Sequence, residues 1–380
     1  MDWTNYSVDG QISMFDLTND KANQRKKSTD WKWSFKDYPE KNGLKAFSCF
    51  DCGGGSTMGY KLTGVDVIGC CELDPKMNEI YVKNHNPKHN FCMDIRDFNN
   101  IPNEELPPEL FDLDILDGSP PCTTFSMAGQ REETWGKEKK FREGQKMQTL
   151  DDLSFVFIET AKKLRPKTVI MENVEGLLLG NAWKYVQEIY KQFNDIGYKL
   201  HHWLLKGEEM GVPQARHRVI FVAIREDIGI EPQKLNMLFD YEPVTYGQIK
   251  DGNGRKIDIE SKTYKLLCEV KPGEKDMGAA HERLYGTIAF FQNKILYDDE
   301  VVLTIRAKSN DFWSKTDKKG MSTTEIIKCQ TFPQDYNFEN FSLSNVTYIC
   351  GMSVPPVMIK RVVQRLIEQG VYDYKLKEME

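Results

Sequence analysis

No apolar run in this 380-residue chain approaches the length needed to cross a bilayer, which argues against a helical membrane protein. The opening MDWTNYSVDG lacks the basic-then-apolar layout of a secretory signal. Repeats at solenoid spacing are missing as well. So is a strong charge of one sign: the net charge is −6, and nothing global marks a nucleic-acid binder. Metal-ligand spacing is sparse. Cys49-x-x-Cys52 has zinc-like or redox-like spacing, and Cys70-Cys71 could lie on a neighbouring strand. Without a second CxxC or a nearby His pair, and with Cys52 inside a glycine loop, no metal is expected. The cysteines number nine and are scattered, which fits a reduced cytoplasmic chain better than a disulfide framework.

What is present suffices for a full α/β core and a second, smaller domain. Residues 1–43 are polar and weakly periodic and read as a flexible arm. The arm holds a short apolar cluster, Gln11-Ile12-Ser13-Met14-Phe15-Asp16-Leu17, similar to the peptides by which bacterial proteins dock on the replication sliding clamp. From Lys21 to Lys36 six basic residues face one acid, with Trp31 and Trp33 interleaved. A second basic stretch runs from Arg131 to Lys146 and includes four glutamates. Either stretch could touch phosphates or be solvated surface.

From Leu44 onward, strand and helix patterns alternate. Strands are predicted at Ala46–Phe50, Val65–Cys71, up to about Met93, Phe111–Leu116, Thr168–Met171, Lys199–Leu205 and Val219–Ile224. Helices are predicted to open at Met58–Leu62, to run up to Tyr81, and to span Leu153–Leu164 and Trp183–Phe193. This rhythm predicts a doubly wound, mainly parallel sheet. It breaks after Arg225 into loop-rich sequence with a turn at Asp251-Gly252-Asn253-Gly254, and a long helix, Val357–Ile367, follows Pro355-Pro356. The layout is a second domain inserted before the last helix of the first.

Two blocks carry the chemistry. The fourth strand leads to Gly118-Ser119-Pro120-Pro121-Cys122, and the next strand ends in Glu172-Asn173-Val174. A cysteine and a carboxylate on one rim of a parallel sheet suit covalent attack on a pyrimidine: the thiolate adds to an electron-poor ring carbon while the carboxyl holds a proton on a ring nitrogen. The first strand ends in Phe50-Asp51-Cys52-Gly53-Gly54-Gly55-Ser56-Thr57-Met58-Gly59, a glycine-rich turn that lets a ligand approach the backbone. Glu72, after the second strand, is placed to grip a ribose diol, and Asp94, after the third, to reach an adenine amino group. With the phosphate-binding spacing GxGxxG absent, a nucleoside-containing cofactor is favoured over a dinucleotide.

Taken in order, these blocks resemble the DNA (cytosine-5) methyltransferases. Gln214-Ala215-Arg216-His217-Arg218 is similar to that family's Gln-x-Arg-x-Arg strand. Thr324-Glu325 through Cys329-Gln330-Thr331-Phe332-Pro333 is similar to the block supporting its recognition domain, and Gly351-Met352-Ser353-Val354-Pro355-Pro356 to its last block. The resemblance covers roughly residues 44–225 and 320–370. It implies a Rossmann-like sheet with an inserted target-recognition domain: catalytic residues 44–225 plus 345–380, and recognition and support at 226–344. Catalytic roles fall to Cys122, Glu172, Arg216 and Arg218. Contacts to S-adenosyl-L-methionine fall to Phe50, Asp51, Cys52, Gly53, Gly54, Gly55, Thr57, Glu72, Leu73, Asp94, Ile95, Asp117, Ser119, Pro121, Met352 and Ser353.

The same resemblance implies a duplex DNA substrate with a flipped-out cytosine, contacted by Ser126, Arg131 and Gln214 and closed on by the loop from Thr123 to about Leu150. Tyr264, His281, Arg283, Tyr285, Arg306 and Trp313 are candidate base readers. A cytoplasmic, nucleoid-associated monomer is expected, of bacterial or phage type and connected with restriction–modification. Methylation of tRNA and non-catalytic DNA binding are the alternatives. The chain departs from the family at three positions: Cys52 stands where glycine is usual, Thr123 where glutamine is, and Met352 where asparagine is.

Overall fold

The computed structural model describes residues 25–121, 152–308, 311–339 and 341–376. Gln11–Leu17, Cys122, Thr123, Ser126 and Arg131 lie outside the described residues. The central sheet contains β1 (Lys45–Cys49), β2 (Asp66–Cys71), β3 (His89–Phe91), β4 (Ile115–Gly118), β5 (Thr168–Val174), β6 (Tyr198–Lys206) and β8 (His217–Arg225), while β7 is the two-residue strand Gln214–Ala215. Its spatial order is β3-β2-β1-β4-β5-β8-β6. The pairs β1–β2, β1–β4, β2–β3 and β4–β5 are parallel, and β8 is antiparallel to both β5 and β6. Strand order reverses between β1 and β4, and the crevice at the carboxyl ends there is where open α/β sheets take their ligands.

Helices α1 (Gly55–Lys61), α2 (Pro75–His85), α3 (Ile95–Asn100), α4 (Leu153–Leu164) and α5 (Trp183–Asp195) connect these strands. Alternate strand residues face opposite ways. Phe47, Leu116, Val169, Met171 and Phe221 therefore pack with Phe157 and Ala161 of α4 and Val186 and Ile189 of α5. Ala46, Ile115, Ile170, Ile220 and Val222 pack on the other face with Val357, Val362 and Val363. A sheet buried on both faces reads as nearly continuous apolar strands, which is why its pattern is visible in sequence.

Three expectations shift. Phe111 belongs to the 3-10 turn Pro108–Phe111, and β4 starts only at Ile115, because the paired prolines Pro107 and Pro108 favour a turn over an extended ladder. Helix α1 begins at Gly55, inside the glycine run. Strand β5 continues through Val174, so Glu172 stands in the strand itself.

The inserted region carries α6 (Tyr246–Ile249), α7 (Lys262–Glu269), α8 (Gly278–Tyr285) and α9 (Thr323–Cys329). It also holds β9 (Arg255–Lys256), β10 (Lys294–Leu296), β11 (Val302–Leu303), β12 (Phe312–Ser314) and β13 (Lys319–Gly320). Four of these strands form a small sheet, β10-β12-β13-β9, and β11 pairs with β7. Leu266, Leu267, Val270, Met277, Ala280 and Ile295 make a separate small core. A larger cluster joins Met58 of α1 and Ile80 of α2 to Phe312, Ile326 and Phe332, with Trp31 and Trp33 buried in it. The chain returns through α10 (Leu343–Met352) and α11 (Pro356–Glu368) to the central sheet. Among the described residues no helix is long and apolar enough to cross a membrane.

Candidate active site

In the parallel register of β4 and β5, Gly118 lies beside Met171, so the chain leaves β4 at the rim where Glu172 stands. Across the antiparallel β5–β8 pair, Val174 faces Arg218. Side chains alternate along a strand, so Glu172, Val174 and Arg218 share one face. Arg218 Nε lies 2.5 Å from Glu172 Oε1, with both side chains largely buried. Asn173, pointing the other way, donates from Nδ2 to the Pro120 carbonyl at 3.4 Å. Strand β5 thus holds the loop that leads to Cys122, which follows Pro121 directly in the chain.

At the carboxyl ends of β1, β2 and β4 is a cavity. Nine of its lining residues were expected from sequence: Phe50, Cys52, Glu72, Leu73, Asp94, Ile95, Ser119, Pro121 and Met352. Cys71, Asp74, Met77, Met93, Leu153 and Tyr348 complete it and were not expected. Glu72 Oε2 accepts from the Cys52 amide at 3.0 Å and Oε1 from the Asp74 amide at 2.8 Å, so the carboxylate fixes the glycine loop. Burial raises its carboxyl above the ordinary range, against the pull of those amides. Asp94 caps α3, accepting from the Arg96 amide at 2.8 Å.

The glycine loop turns through left-handed residues: Phe50 at φ 60, Cys52 at φ 47 and Gly54 at φ 74. A side chain at such a φ costs about 1 kcal/mol, which explains why glycine suits position 52. Cys52 Sγ packs 3.7 Å from Met77 Sδ on the cavity wall. Gly55 has a different reason to be glycine, since a Cβ there would lie 2.0 Å from the Val354 carbonyl oxygen. The returning α10–α11 connection, not a ligand, occupies that space.

Other expected contacts face inward. Thr57 Oγ1 is buried against Tyr81 OH at 2.8 Å. Asp51 is 4 % exposed; burial and the nearby Glu72 push its carboxyl well up, against the pull of the Ser48 hydroxyl and the Cys70 thiol. The Ser353 hydroxyl is likewise buried, beside the Cys52 thiol.

The Gln214–Arg218 block divides in function. Gln214, expected to touch DNA, is fully buried. Its Nε2 donates to the Gln330 side chain and the Cys329 carbonyl, and its Oε1 accepts from the Ile305 amide at 2.9 Å. Arg216, 2 % exposed, donates from Nη1 to the Ile305 carbonyl at 3.2 Å and from Nη2 to the Gly351 carbonyl at 3.1 Å. In the structure Gln214 and Arg216 bracket the inserted region to the last block, and Arg218 is the arginine that meets Glu172.

The model of the C-5 cytosine-specific DNA methylases matches residues 44–368. The chain belongs to this family. The type II methyltransferase M.FnuDI of Fusobacterium nucleatum is 26% identical over 360 residues, 88% of this chain and 97% of its own length. M.NgoPII of Neisseria gonorrhoeae is 24% identical over 348 residues, 83% and 92% of the two chains. Among solved structures, the Dnmt2 methyltransferase of S. pombe superposes with a TM-score of 0.55 at 15% identity, covering 86% of this chain and 98% of that one, which is a likeness of fold.

Two positioning residues of the methylase escaped the sequence reading. Tyr336 OH donates to the Gly53 carbonyl at 2.9 Å and His85 Nε2 lies 3.3 Å from the same oxygen. His85 therefore carries its proton on Nε2, and burial lowers its pKa to about 3. No local signal marks either residue, because each reaches the loop from a distant segment.

Asp117 was expected at the cofactor, yet all its bonds are internal. Its Oδ2 accepts from Ser48 and Ser56 at 2.6 Å each, and its Oδ1 from Tyr60 at 3.0 Å, joining β1, α1 and β4. Burial pushes its carboxyl from 3.8 up to about 6, against the pull of those three hydroxyls and with Glu172 adding to the rise. A raised value means the folded chain prefers the protonated form. Asp117 thus contributes most stability below pH 4 and loses it as pH rises through about 6. Asp117→Asn removes this titration. The stability of the variant minus that of the wild type, measured by urea denaturation, is expected to grow by up to about 3 kcal/mol between pH 4 and 7. A flat difference would assign the wild type's pH dependence to other groups.

Proposed function

We propose that the methylase transfers a methyl group from S-adenosyl-L-methionine to C5 of a cytosine turned out of duplex DNA, at a sequence selected by residues 226–344. Residues 44–225 with 345–380 form the catalytic unit in this reading. The observation that carries it is the Arg218–Glu172 pair, set at the strand rim beside the Pro120-Pro121 loop and next to a cavity that Pro121 itself lines.

The cavity residues fit the cofactor. Glu72, Asp74 and Asp94 line the cavity with acid, so a ligand carrying ammonium and sulfonium charge is complementary. Glu72 would hold the ribose, Asp94 the adenine side, and Met77, Met93 and Met352 the apolar surface. When bound, S-adenosyl-L-methionine supplies an electrophilic methyl group on its sulfonium sulfur.

The chain's own residues activate the base. Cytosine C5 is too weak a nucleophile to be alkylated unaided. The Cys122 thiol adds to C6 as its proton departs, the ring electrons shift towards N3, and Glu172 supplies a proton there. C5 is then enamine-like. Arg218, fixed on Glu172, keeps that carboxyl aimed and balances charge as it transfers its proton. Once C5 carries the methyl group, its proton passes to water, Cys122 leaves C6 as thiolate and the N3 proton returns to Glu172, which restores the aromatic ring. A stacked base cannot reach such a rim, so the cytosine must leave the duplex.

Transfer of tritium from labelled S-adenosylmethionine to duplex DNA tests this reading, with Cys122→Ala as control. Labelling of duplex by the wild type, reduced at least about a thousandfold in the variant, is the expected result. Equal labelling by the alanine variant would overturn the mechanism, and labelling of tRNA alone would overturn the substrate.

A further inference from the structure

Beyond α8 the chain forms a loop, Gly286–Gln292, that displays apolar side chains. Ile288 is 67% exposed and Phe291 54%, beside Leu284 and Tyr285 at 44% and 47%. Ordinary surface loops do not gather large apolar groups this way, and such patches mark contact surfaces.

The loop is held rather than slack. Gly286 ends α8 at φ 73, and His281 Nδ1 lies 2.5 Å from the Thr287 carbonyl. Phe290 takes φ 59, an unusual conformation for an aromatic residue, and its ring stacks on His281 at 5.5 Å. With Phe290 turned inward, its neighbour Phe291 is left outward. The far end is tied where Trp313 Nε1 donates to Asn293 Oδ1 at 2.8 Å. Strain kept in a pinned loop is characteristic of functional segments.

The loop also joins the active-site rim. Arg306 Nη2 donates to Gln292 Oε1 at 2.7 Å. Arg306 follows Ile305, whose carbonyl takes Arg216, and a Cβ on Gly351 would lie 2.4 Å from the Arg306 carbonyl carbon. The apolar display is therefore continuous with the segment packed on Gly351, next to Met352 of the cofactor cavity. From Arg283 to Tyr297 the sequence holds no carboxylate, so phosphates meet no repulsion from this stretch.

Resting on the proposed reaction, we infer that Gly286–Gln292 is a duplex-reading loop in which Ile288 and Phe291 seat against the 5-methyl groups of thymines beside the target cytosine. Apolar side chains discriminate bases in the major groove through that methyl group, while Gln and Arg address purine edges. Three of the six candidate readers are set aside: His281 is buried, Arg283 pairs with Glu274, and Trp313 is tied to Asn293.

The test uses the full-length protein and the target site obtained by selecting the duplexes it binds from a random-sequence pool. Duplexes carrying that site, with each thymine replaced in turn by deoxyuridine, are titrated by fluorescence anisotropy against wild type, Phe291→Ser and Ile288→Ser. At least one loss of a thymine methyl is expected to weaken wild-type binding roughly tenfold and to leave one serine variant unaffected. That variant should bind the intact site roughly tenfold more weakly than wild type, with unchanged affinity for unrelated duplex and for S-adenosylmethionine. Serine variants that match the wild type on every duplex, or a site without thymine, would overturn the inference. A wild type that binds duplex in this pattern without methylating it would instead overturn the proposed reaction, leaving the loop assignment standing.

Discussion

Glutamine in place of Glu172 is expected to slow methyl transfer about a thousandfold, within the range of about 10²–10⁴ typical of a lost general acid. The carboxyl and amide groups are nearly isosteric, so the pocket keeps its shape. The amide has no proton to deliver to N3 and cannot pair as an ion with Arg218, which sits 2.5 Å away in the wild type. Glu172 is not among the residues lining the cavity proposed for the cofactor, so S-adenosylmethionine affinity, measured by calorimetry, should stay within about twofold. Arg218→Lys should fall between variant and wild type, because a lysine retains charge but not the planar fork that aims the carboxyl. Single-turnover rates on duplex DNA separate these effects from product release. A Glu172→Gln rate within about threefold of wild type would remove Glu172 from the proton-transfer step.

How much of this site could be read from sequence depended on the range of the contacts. The strand–helix rhythm is local, so α4 was legible to both ends, Leu153–Leu164, and the sheet to within a few residues. The fourth strand was misplaced because an apolar Phe111 and Leu113 look extended until Pro107 and Pro108 are given weight. Motif spacing located Glu172 and the glycine loop, which lie at the carboxyl ends of β5 and β1, and Arg218, which opens β8 where that strand runs antiparallel to β5. It did not show which motif residues turn inward. Gln214, Arg216, Thr57 and Asp117 belong to recognisable blocks, yet their polar atoms are engaged inside the protein. Tyr336 and His85, which pin the Gly53 carbonyl, approach from segments with no sequence relation to the loop. The odd residue at position 52 was visible in sequence, while its meaning, a side chain at φ 47, required the backbone.

Gly55→Ala is expected to destabilise the methylase by about 2 kcal/mol and to weaken S-adenosylmethionine binding at least tenfold. Two effects oppose each other. At the first position of α1, alanine improves on glycine by up to about 1 kcal/mol in helix propensity. Against that, the added Cβ would stand 2.0 Å from the Val354 carbonyl oxygen and 3.0 Å from Ser353 Cβ. The nearest atom is backbone, which cannot swing aside as a long side chain would. Moving it displaces the α10–α11 connection that carries Met352, one wall of the cavity, relative to Cys52 on the other. Overpacking costs of about 1–3 kcal/mol therefore fall at the upper end and exceed the propensity gain. Gly252→Ala is the matching control. Its φ of 75 penalises alanine, yet nothing lies within 4 Å of the new Cβ, so it should cost about 1 kcal/mol and leave the cofactor site untouched. Urea denaturation with calorimetric titration of S-adenosylmethionine reads both quantities. If Gly55→Ala kept wild-type affinity, the connection would have to yield without moving Met352, and the glycine would no longer be explained by the close approach of Val354.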